Sequence, residues 1–244
     1  QDKPGIPPEV RTLADGAAAL LVEVRADDDA TLGARIDAAL GALAGIETVE
    51  PPAFSTDPAT CERYWNVRKG TLPSVGAMRR TGTTVLIEDV AFPIESLAAA
   101  TRDLQALLAR HGYDDAIVFG HALEGNLHFV FTQDFGDAAE VERYARFMDE
   151  MCALVVGRYD GSLKAEHGTG RNMAPFVELE WGRQATDLMR RIKHLFDPDG
   201  LLNPGVILDV TFDANGDLDR ESFMVEVKNG KQEVVQVLPP LNAA

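Results

Sequence analysis

Two histidines frame the turn GHALEGNLHF, His121 and His128, and a second polar island, KAEHGTGRN, sets Glu166 beside His167. The apolar runs that enter and leave the first motif, with Gly and Asn between them, predict two strands joined by a short loop. Both imidazoles then emerge at the same end of a sheet. Two His and one carboxylate on rigid elements can form a three-ligand site with an open position, which a catalytic metal centre requires. His121, His128 and Glu166 are therefore the candidate ligands. Such a set suits Zn²⁺, with Mn²⁺ or Fe²⁺ also compatible, and Asn126 or Glu124 could tie down a ligand's second ring nitrogen. His167 follows a ligand directly but need not share its direction. It could take a proton from a metal-bound hydroxyl or an α-carbon near neutral pH. Plainer roles fit the same residues: a hairpin whose histidines are satisfied by backbone and water, and a His167 that is a third ligand or a helix cap.

Other islands carry less. Arg63, Arg68 and Lys69 stand near Tyr64 and Trp65 in a strongly acidic chain. An arginine there could grip a substrate carboxylate at two points, or the run is a solvated helix face. HGTG, at 167–170, is neither a P-loop nor a dinucleotide fingerprint. DANGD, at 213–217, starts like an EF-hand loop, but the twelfth position is Met224 where a bidentate Glu is needed.

Composition bounds the answer. The 244 residues are 45% hydrophobic and 25% charged, ordinary values for a chain with a sizeable core. A net charge of −16 argues against nucleic acid and anionic membrane surfaces as partners. No apolar run reaches the length of a membrane span. Cys61 and Cys152 form no CxxC pattern, which points to a reducing compartment. The expectation is a cytoplasmic protein, free or peripheral at the inner face of the membrane. The start, QDKPGIPPEVRTL, has neither a basic n-region nor an apolar h-region of a signal peptide. It reads as a linker, and the chain as a piece of something longer.

The elements follow from periodicity. A strand is predicted over 17–26, a helix over 32–43, a short strand over 47–50 and a helix from Pro58 to Val67, a rhythm that suggests a ferredoxin-like unit. A strand over 83–93 and a helix over 94–111 come next. Strands at 115–120 and 127–133 flank the His turn, and helices follow over 137–156 and 176–196, the last stopped by DPDG. FMVEV and EVVQV around Asn229-Gly230 predict a closing hairpin. The fold class is α+β: an antiparallel ferredoxin-like sheet with helices on one face.

GHALEGNLHF, KAEHGTGR, LIEDVAFP and LFDPDGLLNPG, in that order and spacing, resemble the C-terminal domain of FAD-linked oxidases. These are the D-lactate, D-2-hydroxyglutarate and glycolate dehydrogenases of the vanillyl-alcohol-oxidase superfamily. RNMAPFVELEWG looks most similar to large bacterial members that carry an iron–sulfur module. The resemblance covers residues 17–209, between a linker at 1–16 and a hairpin tail at 210–244. That tail is faintly similar to the closing hairpin of periplasmic branched-chain amino-acid-binding proteins.

The resemblance implies that His121, His128 and Glu166 bind Zn or Mn. It implies that His167 takes the hydroxyl proton while hydride goes to FAD, and that Arg68 holds the substrate carboxylate. Asn126 and Asn203 would lie on the flavin side. FAD itself would be held mainly by a flavin-binding module, with an iron–sulfur module, quinone or cytochrome as electron acceptor. The sequence departs from the family at Glu124, where Asp is usual. Leu72, Ile87 and Val130 replace polar residues of the hydroxyglutarate enzymes, which favours a smaller or more apolar 2-hydroxy acid. The fragment alone is expected to be inactive. Two rivals are a non-catalytic ferredoxin-like module that binds metal or a small acid, and a metal-dependent hydrolase.

Overall fold

The structure, a computed structural model, describes residues 13–14, 17–69 and 79–203, and the backbone alone of 222–228 and 231–238. The chain divides into two compact units, residues 1–78 and 79–244.

The first unit holds two helices, α1 (Asp29–Leu43) and α2 (Pro58–Lys69). Each starts on an aspartate followed three residues later by a threonine. Asp28 accepts from the Thr31 amide at 2.8 Å, and Asp57 from the Thr60 amide at 2.8 Å. A side chain that satisfies an orphan N–H of the first turn fixes where a helix starts. The two strands predicted for this half are corrected: 17–26 and 47–50 belong to no sheet among the described residues. Their apolar residues stand in solvent, with Leu20 76% and Val49 78% exposed. Strand-like composition makes a strand only where a neighbouring strand supplies the ladder.

The second unit carries a three-stranded antiparallel sheet of order β1–β3–β2, with β1 Thr84–Ala91, β2 Ile117–His121 and β3 Asn126–Gln133. Between β1 and β2 runs α3 (Leu97–Arg110), and α4 (Ala138–Cys152) follows β3. Alternation along the strands sends Val90, Leu127, Phe129 and Phe131 to one face. There they meet Ala100, Leu104 and Leu107 of α3, and Phe147, Met148 and Met151 of α4, in a single core. Helices therefore cover one face of the sheet, as the sequence predicted. After α4 the chain makes a π-helical stretch, Ala153–Arg158. Ser162 then pairs with Ala91 through two backbone hydrogen bonds of 2.9 Å at the free edge of β1.

Two short turns, α5 (Gly170–Met173) and a 3₁₀ turn at Ala174–Phe176, lead into α6 (Val177–Phe196). The helix kinks at Gly182, whose φ of 72° is open to glycine at little cost. Asp197 stops it, accepting from the amides of Leu201 and Leu202 at 2.8 and 2.9 Å and from Lys193 at 2.5 Å. The closing hairpin is present as β4 (Ser222–Lys228) paired antiparallel with β5 (Lys231–Leu238). Its Asn229-Gly230 turn, DANGD and Leu72 lie outside the described residues.

A polar latch closes the end of the core away from the histidines. The Tyr113 hydroxyl donates to Gln133 at 2.7 Å, Gln133 donates to the carbonyls of Asp134 and Glu140, and the Arg143 guanidinium lies 4.4 Å above the Tyr113 ring. Burial pushes the Tyr113 hydroxyl up from 10.0 to about 12, against the opposing pull of Arg143. A raised value means that the folded chain keeps a proton which the unfolded chain loses. The contribution is thus complete below about pH 10 and lost as pH rises through about 12. Alkaline unfolding followed by circular dichroism should move to higher pH in Tyr113→Phe, with a weaker fold at neutral pH from the lost hydrogen bond to Gln133. Phenolate absorbance should show three late-titrating tyrosines in the parent chain, Tyr113, Tyr144 and Tyr159, and two in the variant.

Candidate metal and proton-transfer site

The face of the sheet turned away from α3 and α4 carries the candidate site residues. Asp89, His128 and Phe119 stand directly opposite one another across β1, β3 and β2, and Asn126 lies between Ala91 and His121. Residues in register share a face, so Asp89, His128 and His121 all point away from the core. Between β2 and β3 the 3₁₀ turn Ala122–Glu124 ends on Gly125, with φ of 66°. A Cβ at Gly125 would be driven into the carbonyl oxygen of Phe92. This close approach lets the Phe92 amide reach the Gly125 carbonyl at 2.9 Å and keeps His121 near His128.

The segment after Ser162 brings the other half. The Asp89 carboxylate accepts from three successive amides, Ala165 at 3.1 Å, Glu166 at 2.7 Å and His167 at 3.0 Å, all on Oδ2. Glu166 and His167 are thereby placed over β3. His128 Nε2 lies 2.5 Å and His121 Nε2 3.5 Å from Glu166 Oε1. The His128 and His167 rings stack at 5.0 Å, and His121 meets His128 edge-on at 5.7 Å.

Charge at the site follows from burial and neighbours. Burial pushes the His128 imidazole below its ordinary value, and the pull of Glu166 does not reverse this. A neutral imidazole is the form that binds a metal. Burial also acts to raise Asp89, but the amides of His167 and Glu166 and the charge of Lys164 outweigh it and hold the carboxyl below its usual range. The adjacent Glu88 faces the core side of β1 and is 1% exposed. It is matched by Lys164 Nζ at 2.6 Å and the Asn172 amide at 2.8 Å.

The donors fit a divalent cation. His121, His128 and Glu166 each offer an atom within 4.8 Å of the others, and so do Asp89, His128 and His167. The first set is two imidazoles and a partly exposed carboxylate, which suits Zn²⁺ or Mn²⁺. Two ligands at about 2.0–2.1 Å from a tetrahedral ion stand roughly 3.3 Å apart. Binding would therefore open the hydrogen bond between His128 and Glu166.

The fold of the second unit thus brings together His121, His128, Glu166 and His167. Arg68 lies in the last turn of α2, half-buried, and belongs to the first unit. Asn126 is buried, with its amide 3.3 Å from the Val90 carbonyl, and Asn203 is exposed with φ of 45°. Glu124 is exposed on the turn, while Val130 is fully buried opposite Ile87. Sequence reasoning missed Asp89, Glu88 and Lys164. The available signal was a pair of carboxylates inside an otherwise apolar strand, VLIEDVAF. Beside His167 a cavity of about 250 Å³ opens, lined by Lys164, Thr169, Met173, Val177 and Trp181.

Residues 7–207 match the family described as FAD linked oxidases, C-terminal domain. The chain belongs to this family. Among relatives of this FAD-linked oxidase domain is a D-2-hydroxyglutarate dehydrogenase of Xanthomonas citri, 32% identical over 181 residues, which cover 71% of this chain and 37% of the relative. The glycolate oxidase subunit GlcD of Bacillus subtilis is 32% identical over 133 residues, 54% of this chain and 28% of its own. A probable mitochondrial D-lactate dehydrogenase of Danio rerio is 30% identical over 159 residues, 65% and 31% respectively. The chain spans about a third of the length of these relatives. No helix among the described residues is long and apolar enough to cross a membrane.

The turn supplies a direct test of the geometry. Gly125→Ala should destabilise the chain by about 1–3 kcal/mol, the cost of a strained backbone, with weaker cation binding as His121 moves from His128. Gly33→Ala, inside α1 with open space around it, should be neutral or slightly stabilising. Urea unfolding of both variants checks the contrast.

Proposed function

We propose that this chain is the substrate- and metal-binding part of an FAD-dependent dehydrogenase that oxidises a small D-2-hydroxy acid, lactate-like in size, to the 2-oxo acid. The observation that carries the reading is the convergence of His121, His128 and Glu166 beside His167 on one face of the sheet. Membership of the FAD-linked oxidase family and the names of the relatives supply the reaction class. Residues 17–209 act as the working domain in this reading, with 1–16 as linker and 210–244 as a tail. The flavin is bound mainly by another module of the full-length polypeptide, with Asn126 and Asn203 on the flavin side.

In this reading His121, His128 and Glu166 hold Zn or Mn. When bound, the cation supplies Lewis-acid polarisation of the substrate hydroxyl, and FAD supplies the hydride acceptor. His167 accepts the hydroxyl proton. Its ring stacks on His128 and is 38% exposed, so it can reach a molecule placed over the ligands. Arg68 holds the substrate carboxylate by two parallel N–H bonds. The cavity beside His167, with Met173, Val177 and Trp181 in its wall, favours a small or apolar substituent on the acid.

Elemental analysis tests the site. The chain should carry a nearly stoichiometric divalent cation, and the double variant His121→Ala, His128→Ala should lose it. His167→Ala should retain it, while abolishing turnover of D-lactate in the full-length flavoenzyme. Equal cation loss in His167→Ala would make His167 a ligand. Retention in the double variant would sink the metal reading.

A further inference from the structure

β1 places two consecutive carboxylates on opposite faces of the sheet, and both are buried, Glu88 at 1% and Asp89 at 0% exposure. Glu88 is fully matched, one oxygen by Lys164 Nζ at 2.6 Å and the other by the Asn172 amide at 2.8 Å. Asp89 is not. Its Oδ2 takes all three amides of residues 165–167, while its Oδ1 is buried without a hydrogen bond. An ionised carboxylate can accept about four hydrogen bonds, and anchoring the segment uses only one oxygen. Oδ1 faces two groups, Lys164 Nζ at 3.4 Å and His167 Nδ1 at 3.6 Å. Lys164, which has three N–H donors, bonds Glu88 and supplies charge to Oδ1, while the His167 imidazole is the other group that this oxygen faces.

We infer that Asp89 is the positioning residue for His167: it fixes the segment by its amides and holds the ring with Nδ1 protonated and Nε2 free. This rests on the reading of His167 as proton acceptor. With the Nδ1 proton kept toward Asp89 Oδ1, the Nε2 lone pair takes the proton that leaves the substrate hydroxyl. The carbon-bound hydrogen leaves with its electron pair to the flavin, a two-electron acceptor. Asp89 stays ionised and stabilises the imidazolium that forms. The 3.6 Å separation exceeds a hydrogen bond, as is common before substrate arrives, and closes in the working complex. Asp89→Asn separates anchoring from orientation. Its carbonyl oxygen must face the three amide donors, so its NH₂ faces His167. An NH₂ there demands an accepting Nδ1, which moves the ring proton to Nε2 and removes the base.

The test begins with imidazole ¹⁵N resonances of the histidine-labelled chain with zinc added, where five histidines keep assignment tractable. The expected result is an Nδ1–H tautomer for His167 in the parent and an Nε2–H tautomer in Asp89→Asn. Amides 165–167 should remain protected from exchange in the variant. In the full-length flavoenzyme, kcat for D-lactate should fall by roughly 10²–10⁴-fold in Asp89→Asn. KM and zinc content should stay near the parent values, and Asp89→Glu should recover part of the loss. An Nε2–H tautomer in the parent overturns the inference, and so does an Asp89→Asn variant that keeps both tautomer and kcat. If Asp89→Asn fails to fold, the parent tautomer alone decides. Unchanged turnover in His167→Ala would remove the proposed reaction instead, and the tautomer would still report whether Asp89 orients the ring.

Discussion

Three backbone amides converging on one buried carboxylate join the two halves of the site. The candidate ligands on the sheet, His121 and His128, come from regular strands, whereas Glu166 and His167 sit in a segment with no regular structure. Such a segment has amides that no ladder satisfies, and leaving them unmet near the protein interior is costly. Asp89 satisfies three at once. Hydrogen bonds to an ionised acceptor are about twice as strong as neutral ones, which is why the carboxylate remains charged despite its burial. The Ala91–Ser162 bridge brings the segment within reach, and the carboxylate then fixes its direction.

The sheet divides its labour by face. One side is an aromatic core in which Phe129, Phe131 and Phe147 pack with ring centroids 5.3–6.3 Å apart. The other carries the polar site. Glu88 is the exception, a charge on the core side. Its pairing with Lys164 offsets the cost of burying it, but removal of either partner from such a pair typically costs about 3–5 kcal/mol. Lys164 lies within ion-pair distance of both acidic residues of β1, so the core and the site share one cation.

Much of the site was legible because glycine and asparagine punctuate it. The turn between His121 and His128 announced two strands, and both exist within a residue or two of their predicted bounds. Helix ends were legible for the same reason, through Asp137 before α4 and DPDG after α6. The first half misled, since Ala17–Ala26 has strand-like residues and periodicity cannot say whether another strand waits beside it. Asp89 was illegible for a different reason. Its partners are backbone amides 76–78 residues away, and a backbone amide leaves no mark in a sequence. Arg68 could be read as a residue type, but its place relative to a site depends on tertiary structure that spacing does not encode.

The register of β3 acquires a second meaning from these facts. Leu127 and Phe129 flank His128, and both face the aromatic core. A slip of one residue would turn the histidine into that core and set a leucine or phenylalanine against Asp89. Hydrophobic burial therefore proofreads the chemistry: a sheet misaligned enough to lose the site must also bury an imidazole among phenylalanines. A stable core and the candidate site depend on the same alignment of strands.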